Sequence, residues 1–186
     1  MDETTLVRQA AHGDAAAWEA LMHAHQEPVF RFAYLLLGDP DDAEDIAQES
    51  FLRAWKHLER FDLTRPFRPW LLSITANLAS NRRRSAGRYF ASLLRTFRDE
   101  PTSMRIEETS AKKIEAHELW RAVQTLNPAD QQVIYLRYFL DLPVHETAQV
   151  LQVAEGTVKS KLSRALERLR SIIQTDFPVL TEGREV

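Results

Sequence analysis

Polar and basic side chains between residues 73 and 84 have the composition of a surface for single-stranded nucleic acid. Amides and hydroxyls can hydrogen-bond to bases, while guanidinium groups neutralise phosphates. Five of the polar side chains recur at helical spacing on one face, and they are Ser73, Asn77, Ser80, Asn81 and Arg84. Two asparagines there are unusual, because asparagine is a mediocre helix former. Arg82 and Arg83 stand beside Arg84 and complete a run of cations.

A segment with two prolines, residues 61–69, precedes this helix and is predicted to form a loop. Two aromatic residues, Phe67 and Trp70, lie in the loop or directly after it. Each ring could stack on an unpaired base or could anchor the loop in the protein core. We favour the core for Trp70, and both interpretations stay open for Phe67.

A second basic helix is predicted from Thr157 to Ile173. Its apolar face carries Val158, Leu162, Ala165, Leu166, Leu169 and Ile173, and its opposite face carries Thr157, Ser160, Lys161, Arg164 and Arg168. A short helix over residues 144–151 and a tight turn precede it, which is typical of a helix-turn-helix that reads the major groove. The turn lacks its usual glycine, and Ala154 is a weak N-cap. An ordinary surface helix with a basic outer face is the alternative.

Residues 39–49 contain six acids and no base. Asp39 and Pro40 are typical of an N-cap and a first helical residue, and some of the acids would stabilise the positive end of that helix. The other acids indicate a surface for a protein partner. A carboxylate metal site is disfavoured, because consecutive acids point around a helix and no histidine lies among them.

Nothing in the sequence predicts catalysis, a cofactor or a resident metal. The chain has no cysteine, which excludes a disulfide framework, a thiolate metal site and a cysteine nucleophile. Its six histidines are scattered, and no phosphate loop or nucleophile–base pair stands out. We therefore expect a binding protein that is not an enzyme.

The net charge of −3, from 24 basic and 27 acidic residues, would by itself argue against a nucleic-acid binder. The charges are segregated, however, because basic stretches run from Arg82 to Arg98 and from Lys159 to Arg170, away from the acids of residues 39–49. This separation indicates distinct surfaces for distinct partners.

Helical periodicity dominates the 186 residues and no strand pattern appears, which predicts an all-α protein. The helices are predicted over residues 14–25, 28–37, from 40 onwards, 70–87, 114–126, 127–139, 144–151 and 157–173. No apolar run approaches the ~20 residues of a membrane span, and the N-terminus lacks the order of a signal peptide. These features predict a cytoplasmic protein.

Two small helical domains joined by a flexible linker are the expected organisation. The proposed boundaries are residues 1–88 for the first domain, 89–112 for the linker, 113–177 for the helix-turn-helix domain and 178–186 for a tail. Within the linker, the apolar side chains from Phe90 to Phe97 share one face, which we expect to be covered in the free protein.

Three segments together resemble bacterial sigma factors of the extracytoplasmic-function (ECF) group. DAEDIAQESFLRAW, residues 42–55, resembles the part of conserved region 2 that grips the clamp helices of RNA polymerase. PFRPWLLSITANLASNRRR, residues 66–84, resembles the part that recognises and opens the −10 promoter element. Residues 126–170, which begin LNPADQQVIYLRYF, resemble region 4, which binds the −35 element.

The resemblance implies three sets of binding residues. The polymerase set is Asp42, Glu44, Asp45, Gln48, Glu49 and Arg53. The −10 set, which would capture a flipped base and hold the opened strand, is Phe61, Arg65, Phe67, Arg68, Asn77, Asn81, Arg82, Arg83 and Arg84. The −35 set is Thr157, Lys159, Ser160, Lys161, Arg164 and Arg168. The helix from Pro128 to Phe139 would meet the polymerase flap.

The partners that the resemblance implies are core RNA polymerase, promoter DNA and an anti-sigma factor that could hold the chain at the inner membrane face. The DNA would be a duplex at −35 and a single strand at −10. The main hypothesis is therefore a promoter-recognition subunit without a catalytic residue. A stand-alone helix-turn-helix regulator that binds DNA without polymerase is one alternative, and a helical adaptor protein is another.

Overall fold

The computed structural model describes residues 2–93 and 111–180, and within them the fold is all-α, as predicted. The α-helices of this described part are α1 (Glu3–Ala11), α2 (Ala15–Leu37), α3 (Pro40–His57), α4 (Phe67–Leu93), α5 (Ala111–Gln124), α6 (Pro128–Ile134), α7 (Val144–Leu151) and α8 (Glu155–Asp176). We refer to α1–α4 as the N-terminal bundle and to α5–α8 as the C-terminal bundle. No helix among the described residues is both long and apolar enough to cross a membrane.

Capping residues set the helix boundaries of the N-terminal bundle. The carboxylate of Asp14 accepts hydrogen bonds from the N–H groups of Ala16 and Ala17, and this opens α2. Gly38 ends α2 with a φ of 78°, a left-handed conformation that glycine adopts without strain. Asp39 then opens α3 by accepting a hydrogen bond from the N–H of Asp42. These three boundaries are where the sequence predicts them.

The prediction of separate helices over residues 14–25 and 28–37 is wrong, because α2 runs continuously through Pro28. A proline inside a helix removes one backbone hydrogen bond, here to the carbonyl of Ala24. Ala24 is exposed, so its carbonyl is open to water. The buried residues Leu21 and Val29, on either side of the proline, hold both halves of the helix against the core.

The helix α4 begins earlier and ends later than predicted. It starts at Phe67, so the loop covers residues 61–66, because Pro69 lies in the first turn, where a helix needs no N–H donor. It continues past Gly87 to Leu93. The sequence also gave no indication of α1, which buries Val7 and Ala10 against the bundle. The predicted apolar face from Phe90 to Phe97 lies outside the described side chains.

The C-terminal bundle contains the predicted helix-turn-helix. Asn127 caps α6 through the N–H groups of Ala129 and Asp130. A π-helical turn, Tyr135–Phe139, continues α6 before the chain turns into α7. In the turn between α7 and α8, Gln152 adopts φ 54° and ψ 44°, so it occupies the left-handed position that a glycine would otherwise fill.

The two bundles touch each other along α4 and α7. At this contact, the guanidinium Nη2 of Arg68 donates a hydrogen bond to the carbonyl of Leu140 at 2.9 Å. The start of α4, which carries much of the −10 set, therefore faces the C-terminal bundle in this structure.

Candidate nucleic-acid and protein interfaces

The outer face of α8 carries an exposed row of hydroxyl and basic groups. Val158 and Ala165 are fully buried on the inner face, so the helix is held with its polar side outward. Lys159, Ser160 and Arg164 are exposed, and Thr157 and Lys161 are half-buried. Local hydrogen bonds order this face. The Oγ of Ser160 donates to the carbonyl of Thr157, and the Nε of Arg164 donates to the carbonyl of Ser160, each at 3.1 Å.

Arg168 has a different environment from the rest of the −35 set. Its Nε and Nη2 donate to the two carboxylate oxygens of Asp130 at 2.6 and 2.7 Å. Asp130 is only 5 % exposed and also accepts a hydrogen bond from the amide of Asn127. The hydrogen bond to Asp130 raises the pKa of Arg168. This bidentate pair ties α8 to the start of α6, a role that the sequence pattern does not reveal.

An aromatic cluster lies beneath the loop of residues 61–66. The Phe61 ring lies 4.6 Å from Trp70 and 5.9 Å from Phe67, between ring centroids. Phe61 and Trp70 are half-buried, but Phe67 is only 1 % exposed. The structure thus places the Phe67 ring in the core and leaves no free face for a base. Including Phe67 among the residues that contact the −10 base is therefore wrong, because its ring is buried.

A hydrogen-bonded turn shapes the tip of the same loop. The carboxylate of Asp62 accepts from the N–H of Thr64 at 2.9 Å and from its hydroxyl at 2.7 Å. These hydrogen bonds hold the pKa of Asp62 below its ordinary value. The loop backbone is therefore ordered without help from nucleic acid.

The polar face of α4 is only partly accessible. Ser73 is buried, and its hydroxyl donates to the carbonyl of Trp70 at 2.6 Å. Asn77 and Asn81 are exposed, and Asn81 accepts a hydrogen bond from Arg84. The exposed asparagines therefore line up with the basic end of the helix, as predicted.

Arg82 joins the acidic segment to the basic one. Its guanidinium donates to the carboxylate of Asp42 and lies 3.5 Å from that of Asp45. The hydrogen bond to Asp42 raises the pKa of Arg82. The expectation that residues 39–49 and the arginine run form separate surfaces is therefore wrong at this point. Packing of α3 beside α4 brings the opposite charges together.

The other members of the polymerase set lie on the outer side of α3. Glu44, Asp45 and Gln48 are exposed, and the Nε of Arg53 donates to Glu49 at 2.7 Å. Pairs at this spacing on a helix surface contribute little to stability. These charged groups remain available to a partner.

Next to this charged strip, α2 and α3 form an apolar groove with a volume of about 790 Å³. Its walls are formed by Trp18, Met22, Gln26, Phe30, Glu44, Ala47, Gln48, Phe51, Leu52 and Trp55. Leu52 is 56 % exposed, and Met22, Phe30 and Trp55 are each more than a third exposed. This groove was not predicted from the sequence. The signal was present in the apolar residues of α2 and α3 that lie off the buried stripe, such as Leu52.

Four of the five arginines of the −10 set face the C-terminal bundle in this structure, and the exception is Arg82. Arg65 lines a cavity with His145 and Glu155 beside the turn of the helix-turn-helix. Arg83 and Arg84 line another cavity with Pro128 of α6. No cluster of three or more histidine, cysteine, aspartate or glutamate side chains within residues 2–93 and 111–180 could hold a metal ion.

Comparison with protein families gives two matches that follow the two bundles. Residues 21–89 match Sigma-70 region 2, and residues 116–169 match Sigma-70, region 4. The first match starts within α2, so α1 precedes it.

Individual sigma factors match over nearly the whole chain. The ECF RNA polymerase sigma factor SigL of Mycobacterium tuberculosis is 34 % identical over 173 residues, which cover 90 % of this chain and 95 % of that relative. The ECF RNA polymerase sigma factor SigW of Bacillus subtilis is 28 % identical, with 88 % of this chain and 92 % of the relative covered.

Solved structures show the same fold. CnrH in complex with the cytosolic domain of CnrY has a TM-score of 0.69 and 25 % identity, covering 94 % of this chain and 98 % of that one. The sigma factor RpoE from Bartonella quintana, solved with the anti-sigma factor NepR, has a TM-score of 0.68 and 23 % identity, covering 85 % and 97 % of the two chains. At that identity, the second likeness shows the fold alone.

Proposed function

Because the chain belongs to the ECF group of RNA polymerase sigma factors, we propose that its surfaces divide polymerase binding and promoter reading among separate helices. As a sigma factor, it binds core RNA polymerase and directs transcription initiation at promoters. The assignment of polymerase and DNA to separate helices rests on one observation. The described residues present an exposed basic face on α8 and an exposed apolar groove between α2 and α3. The first suits duplex DNA, and the second suits a protein.

Duplex DNA at −35 is read by the outer face of α8. Ser160, Lys161 and Arg164 supply hydroxyl and cationic donors that reach base edges and phosphates, and Lys159 adds a further phosphate contact. Thr157 lies at the first turn of the same helix. Arg168 contributes to this face while it stays paired with Asp130.

Single-stranded DNA at −10 is read by the loop of residues 61–66 and the exposed side of α4. Phe61 and Trp70 keep part of their rings accessible for a flipped base. Asn77 and Asn81 offer amides to the strand, and Arg82 to Arg84 neutralise its phosphates. Arg65 and Arg68 join them once the C-terminal bundle moves away from α4. Base flipping costs a few kcal/mol, which these contacts offset.

The polymerase is bound by the apolar groove together with the polymerase set. Exposed apolar side chains such as Leu52 supply the buried centre of the interface. Asp42, Glu44 and Asp45 supply a charged rim that fixes orientation. The polymerase performs the catalysis, and the sigma factor contributes binding energy alone.

An anti-sigma factor is the third partner that we propose. The similar protein CnrH was solved with the cytosolic domain of CnrY, which supports a second protein partner for this fold. We place the chain in the cytoplasm, where polymerase and DNA are found. The stand-alone regulator is not favoured, because it gives no role to the region 2 match or the apolar groove.

Run-off transcription with core polymerase, the purified chain and a library of genomic promoter fragments tests the proposal. We expect initiation from a subset of fragments that core polymerase alone does not use. Arg164→Ala should reduce affinity for the −35 duplex about tenfold. Arg170→Ala is the matched control, since Arg170 is an exposed base on α8 that is not in the −35 set. No initiation from any fragment, together with no binding to core polymerase, would refute the proposal.

A further inference from the structure

The helix α1 lies outside the matched region 2, yet it packs directly beneath the loop proposed to capture the −10 base. A small cavity of about 30 Å³ has Glu3, Thr4 and Val7 of α1 on one side. Its other side is formed by the loop and the start of α4, through Phe61, Leu63, Arg65, Pro66 and Phe67. The loop therefore rests on α1 as well as on its own flanking helices.

Glu3 connects α1 to the start of α4 through His25. The carboxylate Oε1 of Glu3 lies 2.9 Å from Nε2 of His25. His25 is 7 % exposed, and its ring centroid is 5.3 Å from that of the buried Phe67. The Glu3 carboxylate also faces the backbone N–H of Phe67, the first residue of α4. The Glu3 carboxylate thus bonds to His25, whose ring packs against Phe67, and it also feels the backbone N–H of Phe67.

Phe67 links the Glu3–His25 pair to Phe61 and Trp70, the two rings that remain partly accessible. Its ring lies 5.9 Å from Phe61 and 5.6 Å from Trp70. Interior packing is dense, so a shift of the Phe67 ring must be passed to its neighbours. The positions of Phe61 and Trp70 therefore depend on the contact that Glu3 makes.

We propose that Glu3 and His25 are positioning residues for base recognition at −10, with α1 as the support of the loop. This inference rests on the proposed function of the loop. Neither residue is expected to touch DNA. They act by holding Phe67, and through it Phe61, in the geometry that a particular flipped base fits. Loss of the Glu3 carboxylate should loosen this geometry and flatten the preference among bases, while affinity for core polymerase and for −35 DNA stays unchanged.

The test compares Glu3→Gln with Glu27→Gln in the full chain bound to core polymerase. Glu27 is an exposed carboxylate on α2, two residues from His25, so its change removes the same charge without touching the loop. The template is a promoter selected by the wild-type holoenzyme, alongside copies with one −10 base changed. Glu3→Gln should reduce the ratio of transcription from the selected and altered templates about fivefold, as expected for loss of one hydrogen bond.

Hydrogen exchange supplies a second readout that a general loss of stability would not produce. Glu3→Gln should speed amide exchange in residues 61–70 and leave α3 unchanged, whereas Glu27→Gln should alter neither. If Glu3→Gln fails to fold, His25→Gln decides the question, with His23→Gln as its exposed control on the same helix. His25→Gln keeps a donor for Glu3 but removes the ring beside Phe67, so it should show the same loss of discrimination.

The outcomes separate the two proposals. A wild-type chain that neither binds core polymerase nor initiates would overturn the proposed function. A wild-type chain that discriminates among −10 bases, with Glu3→Gln and His25→Gln equal to their controls, would overturn only the positioning role. A uniform fall in transcription from all templates, with the base ratio kept, would also overturn it.

Discussion

Arg164 and Arg168 lie one helical turn apart on α8, but they have different surroundings. Arg164 is exposed and bonds only to the helix backbone among the described residues, whereas Arg168 holds the buried carboxylate of Asp130. A buried carboxylate without its cation is costly, because its desolvation is no longer compensated. The two arginines should therefore respond differently to truncation.

Asp130→Ala is predicted to lower the free energy of unfolding by about 2 kcal/mol, because charge-assisted hydrogen bonds to Asn127 and Arg168 are lost together. Denaturant unfolding of the full chain measures the change. Arg168→Ala should also destabilise the chain, whereas Arg164→Ala should leave stability unchanged and weaken only binding of −35 DNA. Equal stability of all three variants and the wild type would contradict the structural role of the pair.

The contribution of Glu3 to stability is predicted to depend on pH. The hydrogen bond with His25 is the main factor that lowers the pKa of Glu3 from its ordinary value of 4.5, and the N–H of Phe67 and the charge of Arg68 act in the same direction. A carboxylate with a lowered folded-state pKa stabilises fully above its unfolded pKa, and the effect disappears as pH falls through the folded value.

The stability difference between wild type and Glu3→Gln should therefore shrink as the pH falls below about 4.5. Thermal unfolding of both proteins across this range measures the difference. A difference that keeps growing as the pH falls below 4.5 would contradict the assignment of the lowered pKa to Glu3.

At the scale of elements, the groove between α2 and α3 exposes apolar side chains that the fold does not need. Leu52 is 56 % exposed, so a polar residue there costs little folding free energy. Such a patch beside the acids of α3 suits a protein partner, and we assign it to the polymerase.

Leu52→Asp is predicted to weaken binding to core polymerase by about 2 kcal/mol, the size typical of a central interface residue. The thermal midpoint should not fall. Val179→Asp is the control, because Val179 is 51 % exposed and lies outside the groove. Fluorescence anisotropy of labelled chains with core polymerase measures the affinity. Equal affinity for the two variants would remove the groove from the interface.

Helix boundaries could be predicted where a local residue determines them. Asp14, Asp39 and Asn127 accept backbone hydrogen bonds at the predicted starts, and Gly38 supplies the left-handed stop. The passage of α2 through Pro28 could not be predicted. The burial of Leu21 and Val29 in one core outweighs the lost hydrogen bond, and that burial depends on the tertiary structure.

The sequence allowed us to predict which types of residue share a helix face at each candidate site. It did not allow us to predict which residues from other helices those side chains contact. The periodicity of α8 places its basic side outward, as the structure shows. Burial of Phe67 depends on His25 and on α1, which are distant in sequence. The pairing of Arg82 with Asp42 depends likewise on how α3 lies beside α4.

At the scale of the whole molecule, the two bundles meet where DNA would have to enter. Arg68 donates to the carbonyl of Leu140, and its Nε is buried without a hydrogen-bond partner among the described residues. An unpaired buried donor weakens the contact. The two bundles should therefore separate when the polymerase binds each of them.

Distance measurement tests this separation in the intact protein. The chain has no cysteine, so Glu27→Cys and Arg170→Cys allow one dye on each bundle. Energy transfer between the dyes is predicted to fall when core polymerase is added, because Arg65 and Arg68 must leave α7 to reach DNA. Unchanged transfer in a complex that still initiates transcription would contradict the required separation.

The net charge of −3 also affects how the whole protein binds DNA. The acids and the basic faces lie on different helices, so the isolated chain repels DNA as a whole while α8 attracts it locally. Core polymerase would hold both bundles at the spacing of the two promoter elements and raise their effective concentration. Promoter recognition should therefore be a property of the complex.

Binding of a labelled promoter by the purified chain, measured with and without core polymerase, tests whether promoter recognition needs the complex. The promoter is one that the holoenzyme uses in the run-off assay, and a fragment with shuffled −35 and −10 elements is the competitor. We expect sequence-specific binding only when core polymerase is present. Equally tight and specific binding by the chain alone would contradict it and favour a stand-alone regulator.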